Sequence, residues 1–299
     1  MPRAALLSIH ARVEAATPSS WEHPSLVQVW GPRFSAYVVP ARDRAVFTLG
    51  RLPDDAGGRQ RAEEVAARLH SFLAGRRLSA EDAGDALGMH PNRFRYAAAT
   101  GTVLIRWDGA RRPTLWSVPP PDVDPFEARR ELARRYLHVF GPATGEAFAE
   151  WAGVAIPHAR AAFESLSRSL TPVRTPIGDA SILARDEPAF RTPAGPAAAA
   201  RLLPSGDAYF LLQGADRELL VPGAERRARL WTSRVWPGAV LVAGEIAGTW
   251  RRSQAQVTIQ PWRRLSRVEG DAVEAEAAGL PLPGVEGEVA VHWDRPERR

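Results

Sequence analysis

The sequence predicts an α+β fold, in which helical modules ending in β-ribbons precede a β-rich C-terminal domain. Between residues 60 and 120, apolar residues recur at helical spacing, and two short runs of alternating residues follow them. Residues 125–190 repeat this order loosely. From about residue 200, short apolar runs between turn residues replace the helical pattern. A chain of 299 residues is long enough for two or three domains.

The segment 60–120 carries the clearest pattern. Its first helix ends near residue 75, Ser79 is a good N-cap for a short second helix, and Pro91 opens a third helix. Two strands, 102–107 and 114–118, complete the segment. Three helices followed by a hairpin form a winged helix, a variant of the helix–turn–helix.

The third helix of this segment is the candidate DNA-reading element. Phe94, Ala97 and Ala98 are expected to face the core. The opposite side can enter a major groove, where arginine suits guanine and asparagine suits adenine. The residues expected on or beside that side are Asn92, Arg93, Arg95, Tyr96 and Ala99.

The ribbon of the same segment adds basic residues. Arg106, Arg111 and Arg112 are placed to meet phosphates or a minor groove. Winged helices also mediate protein contacts, and arginine is a common surface residue. A protein-interaction module is therefore an alternative, and it predicts no salt-sensitive affinity for DNA.

Two flanking segments resemble further modules. Residues 1–52 predict a helix over 4–15 and a ribbon over 26–39, which together are interpreted as the remnant of a first winged helix. Residues 53–60 are a linker. Residues 125–190 predict another winged helix, with the proline-punctuated segment 171–188 at the position of the wing. His158, Arg160 and Arg168 are expected on the outer side of its third helix.

Residues 200–280 predict the β-rich C-terminal domain, and residues 281–299 predict a tail. The runs 209–212 and 219–221 are interpreted as strands, and residues 239–259 as a meander with Ala243-Gly244 at a hairpin turn. Asp207 is expected to be a turn former beside Gly206.

Composition limits the possible functions. The formal net charge of +5 and the sequence pI of about 10.4 favour a polyanionic partner. All 39 basic residues are arginine, and there is no cysteine, which excludes disulfides and cysteine zinc sites. No H-E-x-x-H, Walker A or G-x-G-x-x-G motif occurs. We expect no metal, no cofactor, no membrane span and a cytoplasmic, nucleoid-associated protein.

Several stretches resemble a bacterial winged-helix family that includes the AlkZ-type DNA glycosylases, which unhook bulky or crosslinking alkyl lesions. They are LSIHARV at 7–13, LVQVWGPR at 26–33, RRYL at 134–137 with FGPAT at 140–144, RLLP at 201–204 and VAGEIAGTWR at 242–251. The resemblance implies tandem winged helices around a DNA-sized channel, followed by a C-terminal β-rich domain. It also implies double-stranded DNA, damaged or distorted, as the partner.

The resemblance further implies a catalytic Gln-x-Gln or Gln-x-Asp pair just before the helix that begins near Pro2. In this sequence that place lies before Met1, so the pair is missing and no catalytic residue is assigned. We expect weak or no catalysis, and monofunctional N-glycosidic hydrolysis if the chain is active. Gln254-Ala255-Gln256 is expected on a strand without a catalytic role. The alternative function is a non-enzymatic, DNA-binding transcription regulator.

Overall fold

Helices and strands alternate along the chain, which confirms the predicted α+β class. The computed structural model describes residues 2–107, 112–193, 199–282, 285 and 288–294. The helices are α1 (Pro2–His10), α2 (Arg44–Thr48), α3 (Ala56–Leu73), α4 (Ala80–Leu87), α5 (Phe94–Ala97), α6 (Pro125–Phe140), α7 (Gly145–Ala152), α8 (Ile156–Ser165), α9 (Glu187–Arg191), α10 (Asp216–Leu220), α11 (Ala224–Leu230) and α12 (Arg267–Ala278). The strands are β1 (Leu26–Trp30), β2 (Ala36–Pro40), β3 (Leu78–Ser79), β4 (Val103–Arg106), β5 (Thr114–Ser117), β6 (Leu170–Thr175), β7 (Gly178–Leu183), β8 (Ala200–Leu203), β9 (Gly238–Val242), β10 (Glu245–Ser253), β11 (Gln256–Pro261) and β12 (Ala290–Trp293).

The chain divides into two compact units. Residues 22–188 make up most of the first unit, and residues 3–21 together with 189–299 form the second. The helix and the ribbon that were interpreted as one remnant, within residues 1–52, therefore lie in different units. The physical reason is the burial of Leu7, which packs among the apolar side chains of the C-terminal sheet. The division into five segments stays a prediction.

The segment 60–120 has the predicted order of helices and strands. Asp55 caps α3 by accepting the N–H of Gly58, and Ser79 caps α4 by accepting the N–H of Asp82. The third helical stretch covers 91–100, with one α-helical turn between two 3₁₀ turns. This order, α3-β3-α4-α5-β4-β5, is the one that the winged-helix interpretation requires.

The first unit contains a five-stranded sheet in the order β2-β1-β4-β5-β3. Strand β1 joins β4 through the antiparallel pair Gln28–Ile105. It therefore covers what would otherwise be an open edge of the β4–β5 hairpin. Trp30 packs in one core with Leu69, Phe94 and Ile105.

The segment 125–190 also has the expected order, α6-α7-α8, and β6 pairs antiparallel with β7 where the wing was predicted. Tyr136, Phe148 and Trp151 form its aromatic core, with the Tyr136 and Trp151 ring centroids 5.1 Å apart. These rings are buried, and Phe148 also contacts Phe163 of α8, with ring centroids 5.8 Å apart.

The second unit contains a sheet in the order β12-β11-β10-β9-β8, and α12 packs against it. Ala243 and Gly244 have φ of 49° and 88°, which confirms the predicted hairpin turn between β9 and β10. Helix α12 begins at Arg267, where Ser266 and Glu269 form a capping box.

The linker predicted over residues 53–60 is shorter than expected, because residues 56–60 begin α3 behind the cap at Asp55. Four further local predictions were wrong. The helix expected over 4–15 ends at His10, and Val13 is 53% exposed. Residues 208–210 form a 3₁₀ turn and residues 216–220 form a helix, where strands were expected. Short apolar runs are shared by strands and buried helical turns, so periodicity does not separate them.

The fourth wrong prediction placed Gln254 and Gln256 together on one strand. Gln254 has φ of 52° and lies with Ala255 in the hairpin turn between β10 and β11. Gln256 begins β11 and pairs with Ser253. The two glutamines therefore lie at a turn, and they do not share a strand face.

Candidate nucleic-acid interface

The helical stretch 91–100 presents predicted DNA-binding side chains to solvent. Asn92 and Arg93 are exposed, Tyr96 keeps 38% of its surface exposed, and Arg95 is half-buried. His90 caps the stretch, because its Nδ1 accepts the backbone N–H of Asn92 at 3.2 Å. These side chains are available for contact, and their role in binding DNA stays a prediction.

The inner side of this stretch is as predicted at Phe94, Ala97 and Ala98, all of which are fully buried. Ala99 was expected to face outward, and this expectation was wrong because Ala99 is 4% exposed. It packs in a small core that includes Ala128 of α6. Helix α6 therefore covers a side of the stretch that an isolated winged helix would leave open.

The arginines of the wing differ in their surroundings. Arg106 donates to the carboxylate of Glu22 at 2.6 Å, so part of its charge is already neutralised within the protein. Arg112 is exposed. Arg111 lies outside the residues that the structure describes.

The second predicted module contributes two engaged side chains and one exposed arginine. The Nδ1 of His158 lies 3.2 Å from Asp54 Oδ2, and Arg160 donates to Glu146 at 2.7 Å. The hydrogen bond from Arg160 lowers the pKa of Glu146. Arg168 is exposed, in a 3₁₀ turn just before β6. His158 and Arg160 therefore already have acidic partners in the protein.

A cluster that the sequence did not indicate lies beside Tyr96. Its ring contacts Phe34 edge to face, with centroids 5.4 Å apart. The guanidinium of Arg61 lies 5.8 Å from the Tyr96 centroid, and that of Arg51 lies 4.9 Å from the Phe34 centroid. Arg33, next in the chain to Phe34, is exposed. We name Arg33, Phe34, Arg51, Arg61 and Tyr96 the aromatic–arginine cluster.

Arg51 anchors this cluster from inside. It is 5% exposed, and it donates from Nε to the carbonyl of Ala152 at 2.8 Å and from Nη1 to the carbonyl of Trp30 at 3.2 Å. Burial lowers its pKa to about 10. Burial also raises the pKa of neighbouring Tyr37 to about 12. Arg51 therefore joins the end of β1 to the end of α7 beneath the Phe34 ring.

Asp207 proved to be more than a turn former. It caps the 3₁₀ turn that follows it and accepts the N–H of Tyr209 at 2.9 Å. Asp207 is 1% exposed. Its carboxylate also accepts hydrogen bonds from Ser8 Oγ, at 2.5 Å, and from both terminal nitrogens of Arg12, at 2.9 and 2.7 Å. The hydrogen bonds that Arg12 donates to Asp207 raise the pKa of Arg12. Asp207 thus holds α1, and the turn that follows α1, in place within the second unit.

Two features are absent from the described residues. Among them, no group of three or more His, Asp or Glu side chains is arranged to hold a metal ion. None of the helices within the described ranges combines the length and the apolar character that a membrane span needs.

Comparison with known proteins identifies the family. The family description that matches, "DNA glycosylase AlkZ-like", covers residues 1–281. A curated relative from Streptomyces sahachiroi, described as an interstrand DNA cross-link repair glycosylase, is 29% identical over 159 residues, which are 52% of this chain and 42% of the relative. The matched region thus spans less than half of that relative. The solved structure of the Streptomyces sahachiroi DNA glycosylase AlkZ superimposes with a TM-score of 0.77 at 20% identity, over 98% of this chain and 89% of that one, and so shares the fold. The chain therefore belongs to the AlkZ-like DNA glycosylase family.

Proposed function

We propose that this chain binds duplex DNA that carries a bulky or crosslinking N-alkylated base, through tandem winged helices. The observation that carries the proposal is the exposure of Asn92, Arg93 and Tyr96 on the third helical stretch, ahead of a wing that carries Arg112. Asparagine and arginine can contact base edges in a major groove. Arginine on a wing can contact phosphates or a minor groove.

The second module would add a phosphate contact. Arg168 is exposed, whereas Arg160 and His158 would have to exchange or share their carboxylate partners on binding. We therefore assign the larger share of this contact to Arg168. Its position next to β6 parallels the placement of basic residues near the first wing.

The reaction open to an active relative is hydrolysis of an N-glycosidic bond. Alkylation at N7 places a positive charge on the base and makes it a good leaving group, so a positioned water can displace it at the sugar. We expect this polypeptide to bind the lesion-bearing duplex, and a base-release assay tests whether it also hydrolyses the bond.

Fluorescence anisotropy with a labelled duplex, with and without one N7-alkylguanine, tests the proposal. We expect affinity to fall steeply with salt, and Arg93→Ala and Arg112→Ala each to reduce the slope of log affinity against log salt by about 1. Arg267→Ala is the control, because this arginine is also exposed and lies on α12 in the second unit. Absence of salt-sensitive binding would eliminate the proposal in favour of a protein-interaction module.

Base release from the same duplex separates the remaining possibilities. Binding with release would add N-glycosidic hydrolysis to the proposed binding. Binding without release would limit the function to binding of the lesion-bearing duplex. Binding that depends on one DNA sequence, and that ignores the lesion, would instead favour a transcription regulator.

A further inference from the structure

We propose that the aromatic–arginine cluster binds one unstacked nucleotide of a DNA strand, with its base against Tyr96 and Phe34 and its phosphate on Arg33 or Arg61. This inference rests on the proposed DNA binding and adds the part of the DNA that the cluster recognises. All five residues lie in the first unit.

The two rings form the stacking part of this site. Tyr96 and Phe34 meet edge to face at an interplanar angle of 79°, and Tyr96 keeps 38% of its surface open to solvent. Every nucleobase has a flat π-face that can stack on an aromatic side chain. Bases inside a duplex are already stacked on their neighbours, so only an unpaired or extruded base can use this surface.

The arginines supply charge around the rings. Arg33 and Arg61 are exposed, and an arginine can bind a phosphate with two parallel hydrogen bonds. Arg51 stays buried beneath Phe34, and its hydrogen bonds within the described part of the chain go to backbone carbonyls. Its charge therefore adds to the positive potential of the cluster without being cancelled by a bonded carboxylate.

The backbone indicates that this arrangement has a use beyond packing. Arg33 and Phe34 are consecutive and both left-handed, with φ of 55° and 56°. Residues with a Cβ adopt this conformation at a cost in folding free energy, and such strained positions concentrate at ligand-binding sites. The strained pair is what directs Phe34 towards Tyr96 and leaves Arg33 in solvent.

Binding to two otherwise identical duplexes tests the inference, one fully paired and one with a single unpaired nucleotide. Wild-type protein should prefer the duplex with the unpaired nucleotide. Tyr96→Ala should lose about tenfold in affinity for that duplex, the size expected when a stacked base loses its aromatic partner. The same variant should lose less affinity for the paired duplex, so the preference for the unpaired nucleotide should fall several-fold.

Tyr96→Phe is the matched control, because it keeps the ring and should keep the preference. A wild-type protein that binds both duplexes equally, with Tyr96→Ala unchanged, would overturn the inference and leave the proposed function standing. A wild-type protein that binds neither duplex would overturn the proposed function itself.

A second test uses the strained backbone. Arg33→Gly relieves the left-handed strain and removes the guanidinium, so we expect an equal or higher Tm together with a several-fold loss of affinity for the duplex with the unpaired nucleotide. Gln254→Gly is the control, since Gln254 has φ of 52° in a hairpin of the second unit. The Gln254→Gly protein should show a similar change in Tm and no loss of affinity for the duplex. An Arg33→Gly protein that binds like wild type would remove Arg33 from the site.

Discussion

At the scale of single residues, buried arginines hold the first unit together. Arg129 is 2% exposed, and it donates to the carbonyls of Gly50, at 3.0 Å, and Leu52, at 2.5 Å, and to the carboxylate of Asp54. The Oδ2 atom of Asp54 also lies 3.2 Å from Nδ1 of His158. A sequence in which every basic residue is arginine shows that such roles are possible, but it does not show which arginine is buried.

Replacing Arg129 should therefore be costly. Arg129→Met leaves two buried carbonyls without their donor, and we expect a loss of about 3–5 kcal/mol in the free energy of unfolding. Urea denaturation measures it. Arg130→Met is the neighbouring control, because Arg130 is 45% exposed and pairs only across one helical turn with Glu127, a contact worth at most about 1 kcal/mol. Equal losses for the two variants would contradict the buried role of Arg129.

A second prediction at this scale concerns acid stability. Hydrogen bonds from Arg134, and then from Arg135, lower the pKa of Glu131 from its usual 4.5 to about 2. Because the pKa is lowered in the folded state, this stabilisation is complete above the unfolded value and is lost as the pH falls towards 2. The Glu131 side chain is 30% exposed, so we expect about 1 kcal/mol after solvent screening. The stability difference between wild type and Glu131→Gln should shrink between pH 5 and about 2. A difference that does not change with pH would contradict this origin.

At the scale of elements, α1 illustrates how a short helix is assigned to a unit by its contacts. Leu7 packs in the core of the second unit, and Ser8 and Arg12 are held by Asp207. The apolar pattern of residues 4–15 predicted a helix that the structure shows only as far as His10, and it could not indicate the packing partner of that helix. A hydrophobic face looks the same whichever sheet covers it.

Removing the Asp207 carboxylate should release this helix. Asp207→Ala leaves Ser8 and Arg12 without their acceptor, so we expect faster amide hydrogen exchange across residues 4–12 by about tenfold or more, the equivalent of at least 1.4 kcal/mol. Hydrogen exchange with mass spectrometry measures it. Asp271→Ala is the control, because its ion pair with Arg267 on α12 is exposed. Unchanged exchange in the Asp207→Ala protein would show that apolar packing alone holds α1.

At the scale of the whole molecule, the absence of lysine restricts the chemistry. A glycosylase that also cuts the backbone usually forms a Schiff base between an amine and the sugar. Among the 299 residues, arginine is the only basic side chain of high pKa. A guanidinium does not act as the nucleophile that forms a Schiff base. The N-terminal amine is the remaining amine.

Borohydride trapping on abasic DNA tests this restriction. We expect no trapped protein–DNA adduct once the N-terminal amine has been acetylated, because a Schiff base needs a free amine. Unmodified protein, and a lysine-dependent lyase as a positive control, complete the experiment. An adduct formed by the acetylated protein would contradict the prediction that none of the side chains in these 299 residues forms the Schiff base.

The sequence by itself determined the class of fold, most helix positions and the family. Caps such as Ser79, turns such as Ala243-Gly244 and the periodicity of apolar residues are local properties, and local properties can be seen in neighbouring letters. The charge balance and the choice of arginine over lysine are likewise present in the composition.

Tertiary structure alone decided which distant segments meet. The contact of Phe34 with Tyr96, the burial of Ala99 against Ala128 and the capture of Arg12 by Asp207 all join parts of the chain that no local pattern connects. The reason is that pairing between remote segments depends on packing and on the burial of charge across the whole fold. Those energies belong to the three-dimensional arrangement, and the order of the residues does not display them.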